Sequence, residues 1–342
     1  MSANSSLKRS FYATECVRGS VHSSARWFLR TGVAGQILAL IAVLTVFAIG
    51  TRGKYLSWAN IEVILRLAGI PAILAVGLHQ TIILGGIDLS VEGVAALTIV
   101  FVGFLLKNTV NSSDIGLWIF PVVLAVGGGA GVVTGLVHTK LRIPSFIGSL
   151  GMNWILYGLA VYINRATQVP LIDTRIQGIV TGAIFGIPNI ALIALALVML
   201  IQVGQDHTRY GRYLYAIGGD ELLAQQAGVK VDRIKIITFA IAGMFYGLAA
   251  LFLATRLGSA HPRTGSNILF PAVTAVAVGG VALTGGIGGA KNAALGALIV
   301  TALNDGLVLM QVNPYAQQAV NGVVLIAAVA LTIDRRKLGF IK

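Results

Sequence analysis

Residues 33–50 read VAGQILALIAVLTVFAIG, eighteen residues without a single charge. As a helix this stretch is about 27 Å long, close to the ~30 Å hydrocarbon thickness of a bilayer. The same density of apolar residues recurs along the chain. Segments near 61–84, 88–106, 117–138, 144–163, 186–203, 235–254, 269–284, 290–310 and 318–332 complete about ten candidate spans. Across the 342 residues, 56% are hydrophobic and only 11% charged, with a mean hydropathy of +0.85. A soluble domain carries roughly 25% charged residues, so no water-facing surface can be assembled from this inventory. Long continuous apolar runs, rather than short alternating segments, exclude a β-barrel. The expected fold is all-α: a polytopic transmembrane helical bundle, rich in glycine (42 residues) where helices pack backbone to backbone.

Two places complicate the span count. GGIDLS at 85–90 reads either as a short turn or as an interruption within a helix, and the glycine-broken end of 269–289 reads as a segment that re-enters rather than crosses. Orientation follows from the basic residues. With a cytoplasmic N-terminus, seventeen of the 25 lysines and arginines fall on the cytoplasmic side and seven outside, while Arg66 lies within a span. The bias predicts both termini in the cytoplasm and an even number of crossings. Residues 1–32 form a basic N-terminal tail, 33–334 the membrane domain and 335–342 a short C-terminal tail. Val46-Phe47-Ala48 loosely resembles a signal cleavage site, but some thirty residues precede the apolar run, which favours an uncleaved first span.

Composition also narrows the chemistry. One cysteine, Cys16, builds neither a disulfide framework nor a cysteine metal site. The five histidines lack ligand spacing and there is no P-loop, so neither a resident metal nor ATP bound to this chain is expected. The net charge of +13 reflects basic cytoplasmic loops rather than nucleic-acid binding. An ionisable group inside a span is costly and faces protein or water. Arg66 lies near a span end and is expected to snorkel. Asp88, Glu92 and Asp305, with the neutral polar residues His79, Gln80, Asn153 and Asn304, are the candidates for a hydrophilic pathway; Asn321 also falls within a span. Each of these residues reads equally well as interhelical hydrogen-bonding glue.

The stretch 204–234 differs in kind. Gly218-Gly219 ends one element, Asp220 caps the next through its carboxylate, and Glu221 complements the helix dipole. Leu222, Leu223, Ala224, Gln225, Gln226 and Ala227 then supply about two turns, closed by Gly228 as a C′ glycine. This short polar helix is suited either to docking in a partner's groove or to lying on the membrane surface.

Four motifs in order carry a resemblance. GGIDLSV (85–91), LRIPSFIGSLG (141–151), YAIGGDELLAQQAGVKVDRIK (215–235) and AVTAVAVGGVALTGGIGG (272–289) resemble the permease subunits of bacterial ATP-binding cassette (ABC) sugar importers of the ribose, galactose and xylose type. The sequence departs from that pattern at Glu92, where glycine is usual, at Thr134, Asp220 and Leu223, where asparagine, asparagine and alanine are usual, and at Ala227, where serine is usual.

The resemblance implies a non-enzymatic permease working by alternating access as a dimer, with a second permease copy. ATP is then used by a separate ATPase subunit that drives the coupling helix Asp220–Gly228. A soluble solute-binding protein delivers a small polar solute, a monosaccharide first and a nucleoside second, to outer loops 51–60, 164–185 and 255–268. An ion-coupled secondary transporter using Glu92 or Asp305 is the competing reading; an intramembrane enzyme lacks a nucleophile–base pair.

Overall fold

The computed structural model describes residues 33–332; the tails 1–32 and 335–342, and the last two residues of the 33–334 domain, lie outside them. Thirteen α-helices make up the described residues: α1 (Ala34–Gly50), α2 (Trp58–Ile83), α3 (Val91–Leu105), α4 (Ile119–Lys140), α5 (Ser145–Asn164), α6 (Thr174–Thr181), α7 (Asn189–His207), α8 (Arg209–Gly219), α9 (Glu221–Gln226), α10 (Val231–Leu257), α11 (Leu269–Val278), α12 (Ala290–Leu309) and α13 (Pro314–Thr332). Four two-residue strands pair antiparallel, β1 (Val169–Pro170) with β4 (Ser259–Ala260) and β2 (Ala183–Ile184) with β3 (Ile187–Pro188).

Each of the ten apolar segments coincides with a helix, and the architecture is an all-α membrane bundle. Among the described residues, six helices are long and apolar enough to cross a bilayer: α2, α4, α5, α7, α10 and α12. The expected count of about ten crossings is not established by length alone. The helices α1 and α3 have 17 and 15 residues, and α11 has 10, about 15 Å, half a bilayer. Where the sequence reads a single long loop over 204–234, the chain is largely helical. There α7 runs on to His207, and α8 is an amphipathic helix whose Gly211, Leu214 and Ile217 are buried. Thr208 caps α8 by accepting from Gly211 N at 3.3 Å.

Central and peripheral helices separate by burial. In α10 and α2, 72% and 61% of the apolar window is buried within the protein, against 22% in α7. The most extensive helix contact, α4 on α10, is made by glycine. Gly127, Gly131 and Gly135 recur every fourth residue on α4; Gly127 and Gly131 face Gly243 and Gly247 of α10, and Gly135 packs on Ile236. A Cβ on Gly127 would overlap the carbonyl of Gly243, and one on Gly131 the carbonyl of Phe239. Small residues at this spacing let membrane helices approach closely where no hydrophobic effect drives them together.

The loops sort to two ends. At one end, β1 pairs with β4, Leu171 N donates to Gly258 O at 2.9 Å, and Ile172 N to Lys107 O at 3.0 Å. Arg175 there binds both Asp173 and Asp114. At the other end sit α9, the Lys140–Asp232 pair at 3.7 Å and the Lys235–Glu221 pair at 2.7 Å.

Candidate functional site

Two helices break off inside the bundle, and their broken ends meet. The first break follows α2. Gly85, in the left-handed region at φ +86°, turns the chain into a non-helical stretch that lasts until α3 starts at Val91. Backbone donors in such a stretch need partners when buried, and α5 provides them: Ile87 N donates to Ser145 Oγ at 3.0 Å and Leu89 N to Ser149 Oγ at 2.9 Å. Two of the sequence motifs, GGIDLSV and LRIPSFIGSLG, are thus one structural unit. Asp88 is 1% exposed. Its Oδ1 accepts from Ser90 N at 2.9 Å and Ser90 Oγ at 2.6 Å, an Asx turn that launches α3. One turn on, Asn153 Oδ1 accepts from Gly93 N at 2.6 Å, and Glu92 Oε1 accepts from Leu269 N, at the start of α11, at 3.3 Å.

The second break follows α11. Residues 279–289 are non-helical, with Gly285, Gly286 and Gly288 all at positive φ. Gly286 N donates to Ile83 O at 2.8 Å, joining this loop to the end of α2. Gly218, the penultimate residue of α8, wedges onto both breaks. A Cβ there would overlap Ile83 O and fall 2.7 Å from Gly286 N. Tyr215, one turn earlier, donates its hydroxyl to Gly288 O at 2.7 Å. Burial, and then the nearby Asp206, push the Tyr215 hydroxyl up to about 12, so at neutral pH it stays a donor. The junction therefore ties the broken ends of α2 and α11 to the helix that leads into α9.

The short helix has the geometry its sequence predicts. Asp220 Oδ1 accepts from Leu223 N at 3.0 Å. Gly228 sits at φ +83°, Gly228 N donates to Gln225 O at 3.0 Å and Val229 N to Ala224 O at 3.1 Å, closing the C-terminus. Ala224 is buried, whereas Leu222 and Leu223 are 70% and 62% exposed. Glu221 is held by Lys235. The helix thus turns two leucines outward from a base fixed through Gly218 and Ala224, with Gly219 the exposed last residue of α8 and Ala227 at its C-cap.

A buried polar network braces the same end. His79 and Gln80 are fully buried in the last turns of α2. Gln205 Nε2 donates to His79 Nε2 at 2.8 Å and to Gln80 Oε1 at 3.2 Å, and Gln205 Oε1 accepts from Ala290 N, the first residue of α12, at 3.2 Å. Tyr210 OH adds a bond to Gln80 Oε1 at 3.4 Å and lies 3.1 Å from Thr238 Oγ1. Neither Gln205 nor Tyr210 stands out in the sequence, because each sits at the edge of what reads as a loop.

Asn304 and Asp305 belong elsewhere, fourteen to fifteen residues up α12 from its start at the junction, or about 22 Å. Asp305 Oδ2 accepts from Asn60 Nδ2 at 2.9 Å, and Asn304 Oδ1 from Asn321 Nδ2 at 3.0 Å. The seven polar candidates therefore form three groups: Asp88, Glu92 and Asn153 around the first break, His79 and Gln80 beneath it, and Asn304 with Asp305 at the far end. Arg66, rather than snorkelling alone, pairs with Glu62 at 2.5 Å and donates to Thr181 O at 2.6 Å; the i, i+4 Glu–Arg spacing was the signal for it. No group of three or more His, Cys, Asp or Glu able to hold a metal occurs among the described residues.

A profile of the family described as "Branched-chain amino acid transport system / permease component" matches residues 60–329. The chain is 32% identical over 328 residues to the ribose import permease protein RbsC of Escherichia coli K12, covering 95% of this chain and 99% of that protein. It is 31% identical over 316 residues to the galactose/methyl galactoside import permease protein MglC of the same organism, covering 87% and 93%. The Bacillus subtilis ribose import permease protein is 32% identical over 310 residues, covering 89% and 92%. No solved structure matches the chain.

Proposed function

We propose a coupling mechanism for this chain, which belongs to the branched-chain amino acid transport system / permease component family. The chain is the transmembrane permease subunit of an ABC importer, and its solute is a monosaccharide, in keeping with the ribose and galactose permeases it resembles. ATP is hydrolysed by a separate ATPase subunit, and a solute-binding protein supplies the sugar. No chemical step is assigned to this chain.

In this mechanism the exposed Leu222 and Leu223 of α9 seat in a groove of the ATPase subunit, with Gly218, Gly219, Asp220, Glu221, Ala224, Ala227 and Gly228 shaping and holding that helix. The carrying observation is the wedge of Gly218 against Ile83 O and Gly286 N. Displacement of α8–α9 by the motor is delivered at once to the broken ends of α2 and α11. These ends and their polar lining (Asp88, His79, Gln80) form the inner gate, Glu92 and Asn153 lie midway at the start of α3, and Asn304 and Asp305 belong to the outer part of the route.

The finer topology follows from this reading. Ten segments enter the bilayer, with α3 and α11 as half-crossings flanked by the non-helical stretches 84–90 and 279–289; non-helical backbone at that depth is tolerated where protein buries it. Both termini are cytoplasmic, α9 faces the ATPase, and the loops around Asp114, Arg175 and Ser259 face the binding protein. A second permease copy completes the route and lipid covers the remaining perimeter. Sugar uptake into proteoliposomes holding the full complex tests the reading: uptake stops when ATP is withdrawn with ion gradients held, whereas uptake surviving on an ion gradient contradicts it.

A further inference from the structure

The mechanism leaves unused a cavity of about 380 Å³ between the start of α11 and the first half of α13, within the ~300–1,000 Å³ of small-molecule sites. Asn267, Phe270 and Thr274 line one wall, and Gln318, Asn321 and Leu325 the other. Phe270 and Thr274, four apart, share a face of α11, with Asn267 just ahead of that helix; Gln318, Asn321 and Leu325 share the opposing face of α13.

The lining chemistry is selective. Asn321 spends its Nδ2 on Asn304 Oδ1 at 3.0 Å, while its Oδ1 is buried without a hydrogen-bond partner among the described residues. The Thr274 hydroxyl donates to Phe270 O at 2.8 Å and keeps its acceptor lone pairs. Facing amides would be costly against acyl chains, which cannot hydrogen-bond, so the cavity is not a lipid groove. No Asp, Glu, Lys, Arg or His lines it. An amino-acid zwitterion, the cargo in the family's description, would enter with both charges uncompensated. A neutral polyol suits the lining, with hydroxyls exchanging hydrogen bonds with the side-chain amides of Asn267 and Gln318 and donating to the Thr274 hydroxyl oxygen. The exposed ring of Phe270 offers an apolar face to its C–H groups.

We infer that this cavity is a binding subsite for a neutral, multiply hydroxylated solute on the outer part of the translocation route, and that it discriminates sugars from amino acids. The inference rests on the importer reading. It also gives α11 a role at both ends: its first turns line the subsite and its last residue opens into the glycine junction.

The test uses the complete importer in proteoliposomes with labelled D-ribose, D-galactose and L-leucine. The wild type takes up at least one sugar and no leucine. Asn321→Leu and Gln318→Leu each lower sugar uptake at least about tenfold, with the ATPase still co-purifying. Gln318 is exposed, so its variant remains informative should Asn321→Leu fail to fold. In a Cys16→Ser background, Gln318→Cys reacts with a membrane-impermeant maleimide, and the transported sugar slows that reaction. Wild-type uptake in both leucine variants, with no protection by sugar, overturns the subsite and leaves the importer standing. Leucine uptake that falls in these variants overturns the polyol assignment. Failure of the wild type to take up any sugar overturns the importer reading and the subsite together.

Discussion

Of the places where glycine brings backbones into contact, two have opposite architecture around them. At the α4–α10 seam, Gly127 and Gly131 meet Gly243 and Phe239 within two unbroken helices whose backbone groups are already satisfied. At the junction, Gly218, Gly285 and Gly286 meet where helices have stopped, and single bonds such as Gly286 N to Ile83 O and Tyr215 OH to Gly288 O hold the parts together. The seam has one arrangement, because sliding it would drive backbone into backbone. The junction has few bonds to exchange and left-handed glycines on one side, so it is suited to move. Close approach supplies rigidity where regular helices continue past it; under the proposed coupling mechanism it serves as a hinge where they end.

The largest expected effect breaks the seam. Gly131→Leu puts a side chain into the carbonyl of Phe239, and a folded population should no longer be recovered in detergent, as judged by a monodisperse size-exclusion peak. Gly218→Ala should separate the two regions. The protein still inserts and gives that peak, but sugar uptake falls at least tenfold, because the added methyl pushes α8 away from Ile83 O. Loss of folded protein with both variants would mean that the junction is as static as the seam.

Asp220→Lys and Gly228→Pro come next. The first removes a cap worth about 0.5–2 kcal/mol to the helix; the second forbids the φ of +83° that closes it. Both should uncouple ATP hydrolysis from uptake while leaving insertion intact. Tyr215→Phe, which loses one bond to Gly288, should slow uptake only a few-fold.

The smallest effect lies far from both regions. Arg175 binds Asp173 and so holds its carboxyl below the usual carboxylate range. A carboxyl whose folded pKa is depressed adds stability above its unfolded value near 3.9; that stability fades as pH falls through the folded value. Hydrogen exchange at 107–116 and 173–181 should therefore rise below about pH 4, and Asp173→Asn should remove the pH dependence.

The same comparison shows how far the sequence could be read. Apolar runs locate all six helices that, among the described residues, are long and apolar enough to cross, because the bilayer enforces length and composition together. The cap at Asp220 and the glycine at 228 are legible because capping is local. The seam is legible in principle as glycines four apart. The junction is not: Gly218, Ile83 and Gly286 lie far apart in the chain, and nothing in their neighbourhoods encodes the pairing. α8 escaped notice because RYGRYLYAIGG is too polar to resemble a span and buries only one face. Asn304 and Asp305 look like neighbours of His79 and Gln80 by type, yet most of the length of α12 separates them from that network, whose Gln205 holds Ala290 at the start of the helix.

The central claim is that α9 transmits the motion of a separate motor. A Leu222→Cys variant in the Cys16→Ser background, assembled with the ATPase subunit and treated with a short bifunctional crosslinker, tests it most directly. The account predicts a crosslink to the ATPase whose yield changes when ATP is bound. Absence of any crosslink from an intact complex, or reaction of that cysteine with an impermeant reagent added from outside the cell, would contradict it.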